Sequence, residues 1–159
     1  MHKFVCESTK KGFTLLEVLI VLAIVVLLSS IGTGFYLNYG KNVELNSLAQ
    51  TIASNLKQAQ AKAMTGAGGF KWGAHFVNGA TNYYEIFSTP TDYSDAGKVI
   101  ISTNYLGSGA VFTDPAPSST KDIIFNKISG GTSASSVTIK SYNITLSVSV
   151  SGVGNISVP

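Results

Sequence analysis

The segment at residues 10–31, KKGFTLLEVLIVLAIVVLLSSI, determines how this chain is interpreted. Two lysines precede a strongly apolar run, residues 13–31, whose one charged side chain is Glu17. As an α-helix this run is about 28 Å long, which is close to the hydrocarbon thickness of a bilayer. We therefore expect residues 13–31 to form a transmembrane helix and the preceding lysines to keep the N-terminus in the cytoplasm.

Two ordinary interpretations of this run leave features unexplained. A secretory signal peptide would be cut after small residues, which residues 30–32 provide, but its apolar core is usually shorter. A plain signal anchor fits the length and gives Glu17 no role. A carboxylate near the centre of a membrane helix costs on the order of 3 kcal/mol, less toward an end, and usually has a partner. The simplest alternative is that Glu17 snorkels toward the lipid headgroups.

The string at residues 10–17 resembles the class III leader of type IV prepilins and type II secretion pseudopilins. The basic pair, Gly12, Phe13 and Glu17 all stand in the register of that family. The resemblance implies a leader peptide, residues 1–12, which a prepilin peptidase/N-methyltransferase removes by cutting between Gly12 and Phe13 before methylating the new amine. It also implies that Glu17 neutralises the amine of Phe13 in a neighbouring subunit during filament assembly.

The same resemblance implies a location and a set of partners. The chain is expected in the bacterial inner membrane as a single-pass protein with a cytoplasmic N-terminus and an extracytoplasmic head, and then in a pilus or pseudopilus. Its partners are expected to be the peptidase, other pilins or pseudopilins, the inner-membrane assembly platform and membrane lipid. The predicted anchor residues are Leu15, Leu16, Val18, Leu19, Ile20, Leu22 and Ile24.

A second helical pattern follows the apolar run. Apolar residues recur at three- or four-residue steps, which predicts an amphipathic helix over residues 41–65 with one buried face. The stripe consists of Leu45, Leu48, Ile52, Leu56, Ala59 and Ala63. The polar positions opposite are Asn46, Gln50, Asn55, Lys57 and Lys62. Together with the transmembrane part, this predicts one long N-terminal helix, residues 13–66, ended by the glycines that follow.

The period changes from helical to alternating after Gly69. Short segments rich in β-branched and aromatic residues predict strands at 70–77, 83–88, 98–103, 123–127, 136–140, 143–150 and 155–158. Residues 152–155 predict a hairpin turn, and residues 89–97 and 112–121, which contain prolines, predict loops. The expected fold class is α+β: a long N-terminal helix packed on a small antiparallel β-sheet head domain, residues 67–159.

Details of this head domain resemble the GspH/FimT subgroup of minor pseudopilins and minor pilins. That subgroup has an early strand with Gly-x-x-Phe, here residues 73–76, and an aromatic-rich strand, here YYEIF at residues 83–87. It commonly closes with an Ile/Phe-rich strand and a terminal hairpin around glycine, here residues 123–125 and 150–156. Many major pilins carry a proline where this chain has Gly-Thr-Gly, at residues 32–34, so the resemblance implies a minor subunit.

Composition argues against several other classes. The chain is 45% hydrophobic and 12% charged, with a mean hydropathy of +0.27, which excludes intrinsic disorder. A single cysteine, Cys6, allows no intramolecular disulfide. One histidine in the head, His75, is too few for a zinc site, and Asp92, Asp95 and Asp114 lack an EF-hand spacing. We expect no enzymatic activity, no cofactor and no metal, with His75 satisfied within a strand.

Two alternative functions stay open. Some minor pilins of the subgroup bind DNA for uptake through basic C-terminal loops, and the corresponding residues here are Lys121, Lys127 and Lys140. The chain has no arginine, the side chain best suited to bidentate phosphate or base contacts, which weakens this alternative. The other alternative is a secreted or signal-anchored β binding domain, for which ordinary signal peptidase would leave a mature chain starting at Thr33.

Overall fold

The computed structural model describes residues 12–107 and 109–159, without the side chains of residues 30–38. The predicted leader, residues 1–12, therefore lies outside the described residues except for Gly12. The chain divides into two compact units, Met1–Gly40 and Lys41–Pro159, which are described separately. A single helix, α1 (Leu15–Met64), contributes its first part to one unit and its second part to the other.

The first unit consists, in its described part, of three residues without regular secondary structure, 12–14, and the first turns of α1. Residues 32–34 are helical despite their two glycines. The large apolar side chains before residue 30 are all exposed. Within the described residues, no helix combines the length and the apolarity that crossing a membrane requires. The predicted transmembrane span, residues 13–31, includes residues 30 and 31, whose side chains lie outside those described.

The second part of α1 has one buried face, as its pattern predicts. Five residues of the predicted stripe are buried and Leu48 is partly buried; Ala49 and Ala53 are also buried, which widens the stripe. The residues predicted opposite are exposed except Asn55, which is half-buried. The helix ends at Met64, two residues before the predicted end, because Gly66 has a left-handed φ of 66° and its N–H bonds to the carbonyl of Ala63.

Eight strands follow in the described part of the chain, all paired antiparallel in two four-stranded sheets. In the first sheet the order is β3-β2-β1-β5, and in the second it is β4-β6-β7-β8. The strands are β1 (Lys71–Asn78), β2 (Asn82–Thr89), β3 (Val99–Tyr105), β4 (Ala110–Asp114), β5 (Ser119–Phe125), β6 (Ser135–Ser141), β7 (Ile144–Val150) and β8 (Ile156–Ser157). The predicted hairpin at residues 152–155 joins β7 to β8.

The predicted loop at residues 112–121 is largely wrong, because β4 and the first part of β5 occupy most of it. Both are edge strands of their sheets, and edge strands tolerate polar residues and nearby prolines that argue against a central strand. The prediction for β5 was also displaced, since it placed the strand at residues 123–127 and the strand ends at Phe125. The other strand predictions agree with the structure within two residues at each end.

The head has one core to which the helix and both sheets contribute. The ring of Phe76 on β1 meets that of Phe112 on β4 edge to face, with centroids 5.8 Å apart. Nearby, the buried amide of Asn78 donates to the carbonyls of Phe112 and Pro115. The predicted α+β class is thus confirmed: an N-terminal helix packs on a small antiparallel β domain.

Candidate functional site

The start of α1 brings together three of the residues that the leader pattern singles out. Gly12 and Phe13 precede the helix without regular secondary structure, and the helix begins two residues after Phe13. Thr14 caps the first turn: its hydroxyl accepts from the N–H of Glu17 at 3.2 Å, and its carbonyl accepts from the N–H groups of Glu17 and Val18. Thr14 and Glu17 therefore stand at the positions of a Ser/Thr-x-x-Glu capping motif.

This geometry shows how the predicted cleavage residues and Glu17 are placed in the described part of the chain. Apart from its chain neighbours, no described residue has an atom within 4 Å of the position that a Cβ on Gly12 would take, and Phe13 is 81% exposed. Glu17 lies in the first turn of α1, where the positive end of the helix dipole favours a carboxylate. Glu17 takes part in the cap through its main-chain N–H, which donates to the hydroxyl of Thr14. The carboxylate of Glu17 is not used in this bond, and the side chain is exposed.

The described residues that surround Glu17 are largely apolar and carry no other charge. From Gly12 to Gly40, Glu17 is the one charged side chain in the sequence. Phe13, Glu17, Val18, Val21 and Leu22 line a shallow groove of about 290 Å³. A carboxylate at the side of an apolar groove is suited to bind a cationic amine that is itself carried by an apolar residue. The predicted anchor residues are exposed in the same helix: Leu15, Leu16, Val18, Leu19, Ile20, Leu22 and Ile24.

The three lysines predicted as DNA contacts do not share an environment. Lys121, on β5, bonds through its ammonium to the carboxylate of Asp114 and the carbonyl of Ser136. Lys127, just beyond β5, donates to the carbonyl of Gly69 at 2.9 Å. Lys140 lies exposed on β6, in the other sheet. The neutralised charge of Lys121 reduces what this set can offer a phosphate backbone.

His75 is a satisfied strand histidine, as the sequence predicts. It lies buried on β1, and its Nδ1 is 2.5 Å from Oδ1 of Asp122 on the adjacent β5. The ring of Tyr93, from the loop after β2, stacks on it at 3.5 Å. The hydroxyl of Tyr93 donates to Glu85 at 2.6 Å. The pKa of Tyr93 is raised mainly by burial and, to a smaller extent, by this hydrogen bond. These contacts attach the loop to the outer face of the first sheet.

The aspartates considered for Ca²⁺ are used within the fold. Asp92 accepts from the hydroxyl and N–H of Ser94, and Asp95 accepts from Thr91 and Gly97; these bonds lower the pKa of each carboxyl. Asp114 ends β4 and contacts Lys121. Among the residues that the structure describes, no group of three or more His, Cys, Asp or Glu side chains is placed to hold a metal ion.

The sequence interpretation missed three structurally important polar side chains. Thr14 caps the helix, and the Thr-x-x-Glu spacing would have identified it. Asn55 donates to the hydroxyl of Tyr84 at 2.8 Å, although its position suggested the solvent face. Gln60 donates to the carbonyls of Gly130 and Gly154, which joins two loops to the end of α1. No sequence signal points to the last two, because both depend on long-range contacts.

Comparisons with known proteins support the interpretation of the N-terminus. Residues 8–33 match the family described as the prokaryotic N-terminal methylation motif. No curated protein and no solved structure shows a significant similarity to the chain. The match covers the basic pair, Gly12, Phe13, Glu17 and the apolar run, which are the residues that the sequence singled out. This N-terminal motif is that of type IV pilin-like prepilins.

Proposed function

We propose that the chain is a structural subunit of a type IV pilus or a type II secretion pseudopilus. A prepilin peptidase/N-methyltransferase cuts the chain between Gly12 and Phe13 and methylates the new amine. The mature subunit waits in the inner membrane, anchored by the apolar part of α1 with its head outside the cytoplasm. It then enters the filament through contacts with other pilins and with the assembly platform.

The observation that carries this proposal is the arrangement around Glu17. Glu17 is exposed on an apolar helix, in a motif matched over residues 8–33, and no cation within residues 12–40 can neutralise it. Cleavage after Gly12 creates an amine four residues earlier in the chain. In a filament of parallel helices, the amine of Phe13 in one subunit reaches Glu17 of its neighbour. Pairing the two charges offsets the free-energy cost of placing each of them in apolar surroundings.

We further propose that the chain is a minor subunit of the GspH/FimT type. The support is the sequence pattern of the head: the Gly-x-x-Phe of β1, the aromatic-rich β2, the Ile/Phe-rich end of β5 and the terminal glycine hairpin. A minor subunit is expected in a few copies for each filament. Quantifying the chain against the most abundant pilin in purified filaments tests this, and a comparable copy number contradicts it.

The test of the assembly role is a charge-removing substitution at Glu17. In Glu17→Gln the side chain keeps its size and its place in the capped turn, so the subunit still inserts into the membrane and is still processed. We expect its amount in sheared filaments to fall at least tenfold relative to its amount in membranes, because a buried amine is left unpaired.

The matched control is Glu44→Gln, at a glutamate that is also exposed and on the same helix but within the head unit. It removes the same charge and is expected to leave incorporation unchanged. Equal incorporation of Glu17→Gln and wild type would refute the pairing role. A failure of both variants would instead indicate a general need for negative charge on α1.

A further inference from the structure

The edges of the two sheets differ in how they are protected against pairing with other strands. Exposed edges in soluble domains are usually short, charged, interrupted by proline or bulged. In the described part of the head, β8 has two residues, and β4 ends at Asp114 directly before Pro115. The edge strand β5 carries Lys121 and Asp122 in its middle. These three edges therefore each have a recognised protective feature.

The fourth edge, β3, has little of this protection. Its seven residues, VIISTNY, include no charge and no proline, and six of the seven are exposed. Three large apolar side chains stand in a row, with Val99 52%, Ile100 45% and Ile101 47% exposed, and Tyr105 is 67% exposed. Its one irregularity is a bulge at Ile101, which has no partner on β2. The strand pairs with β2 on one side and offers its other side to solvent.

Two charged groups next to this strand are already engaged within the head. Lys98, the residue before β3, donates from its ammonium to the carbonyl of Tyr93 at 2.9 Å and lies over the Tyr93 ring at 3.6 Å. The carboxylate of Glu85, on the neighbouring strand β2, accepts from the hydroxyl of Thr103 on β3 at 3.3 Å. A strand presenting an uncharged edge meets no electrostatic repulsion from a second copy of itself.

We propose that β3 pairs antiparallel with β3 of a second copy of this chain, joining the two first sheets edge to edge. The sequence of β3 is compatible with self-pairing. In an antiparallel pair centred on Ser102 or Thr103, the β-branched residues at the start of one strand lie near Tyr105 at the end of the other. Aromatic and β-branched side chains are favourable cross-strand neighbours. The pairing also gives hydrogen-bond partners to the main-chain N–H and C=O groups on the open edge of β3.

The area of this contact sets the conditions under which it forms. Four partly exposed side chains bury much less than the roughly 800 Å² for each partner of a standard interface. The pair is therefore weak between subunits that diffuse in three dimensions. It becomes populated when subunits are held at high local concentration, as on a shared membrane. This contact involves the head alone and requires neither cleavage after Gly12 nor Glu17.

Disulfide trapping in the full chain tests the proposal. In a Cys6→Ser background, a single cysteine is placed at the strand centre by Ser102→Cys or, separately, by Thr103→Cys. Residues facing each other across an antiparallel pair have Cα atoms about 4.5–5.5 Å apart, within the range of a disulfide. The control is Ser149→Cys, exposed on β7, which is paired on both sides. Each variant is produced in the membrane of a bacterial host and oxidised mildly.

We expect a disulfide-linked dimer from at least one of the two β3 variants and background only from Ser149→Cys. Adding Ile101→Lys should abolish the dimer, whereas Val111→Lys, at a similarly exposed position on the edge strand β4, should not. Thermal unfolding confirms that the lysine variants remain folded. The absence of a dimer from both β3 variants, or a cross-link only to a different protein, would overturn the proposal.

Discussion

The two parts of α1 have the same secondary structure and opposite surroundings. Before residue 30 the large apolar side chains of the helix are exposed, whereas from Leu45 to Ala63 one face is buried against the β-sheets. Apart from Glu17 and a few serine and threonine residues, the first part is apolar on all sides, and the second is amphipathic. A helix that is apolar all round must be covered by something outside its own fold. The head, in contrast, already covers its own apolar face.

Under the proposed function, this difference separates the residues that stabilise the head from those that anchor and assemble the chain. Substitutions on the buried face of α1 should affect the unfolding of the head, and substitutions near Glu17 should affect assembly alone. The single tryptophan of the chain, Trp72, is buried in the head, where its Nε1 donates to the carbonyl of Ala67. Its fluorescence therefore reports unfolding of the head in the full-length protein.

The largest expected effect is that of a cavity in the buried part of α1. Leu56 is fully buried, so Leu56→Ala should lower the free energy of unfolding of the head by about 3 kcal/mol, from lost burial and the cavity that remains. Urea unfolding of the detergent-solubilised chain, followed by Trp72 fluorescence, measures this. The matched substitution Leu19→Ala, at an exposed position in the first part of the helix, should leave the curve unchanged. A similar loss in both variants would contradict the separation.

A smaller effect is expected where β1 and β5 approach closely. A Cβ at Gly73 would lie 2.4 Å from the carbonyl oxygen of Ile123, a backbone atom that cannot move aside without disturbing the pair. Gly73→Ala should therefore destabilise the head by about 2 kcal/mol. Gly79→Ala, where the nearest atoms are 3.9 Å away, is the control and should be close to neutral in the same unfolding measurement. Equal stability of the two variants would show that the strands can separate at Gly73 without cost.

A still smaller effect tests the polar contact between helix and sheet. Asn55→Ala removes the donor to the buried hydroxyl of Tyr84, which should cost about 1 kcal/mol in the free energy of unfolding. Asn46→Ala, which removes an exposed bond within the helix, should cost less. If Asn46→Ala costs as much as Asn55→Ala, helix propensity rather than the contact with Tyr84 explains both.

The smallest effect concerns pH and the loop after β2. The pKa of Tyr93 in the folded head is raised above its unfolded value of 10.0. The contribution of the neutral hydroxyl to the free energy of unfolding is therefore complete below pH 10 and is lost as the pH rises further. The free energy of unfolding should fall above pH 10, and less steeply in Tyr93→Phe than in wild type. Denaturation curves at several alkaline pH values measure this difference. Identical slopes would show that the hydroxyl of Tyr93 does not couple the loop to Glu85.

The sequence predicted those parts of the fold that depend on the spacing of neighbouring residues, and it did not predict those that depend on long-range contacts. The periodic stripe from Leu45 to Ala63 and the alternating strands follow from local spacing, and both are present in the structure. Strand β4 was missed because Pro115 and Pro117 lie beside it and it is short. The division into two sheets was not predicted either, since it depends on which edges meet after folding.

The candidate site divides in the same way. Gly12, Phe13 and Glu17 stand in a contiguous motif, so the sequence was sufficient to select them. The cap from Thr14 was also readable from its spacing to Glu17. The lysines at 121 and 127 could not be assessed in advance, because their partners Asp114 and Gly69 are set by tertiary packing. DNA binding by the lysine set and secretion of a free β domain remain predictions.

The most direct test of the account is mass spectrometry of the mature N-terminus, after expression of the full chain with a prepilin peptidase. The expected product is a chain that begins with N-methylated Phe13, because the proposed processing, for which the match over residues 8–33 is the support, cuts after Gly12. A parallel sample without the peptidase should keep its leader and serves as the control. A chain that begins near Thr33, or one that keeps its leader in both samples, would contradict the account.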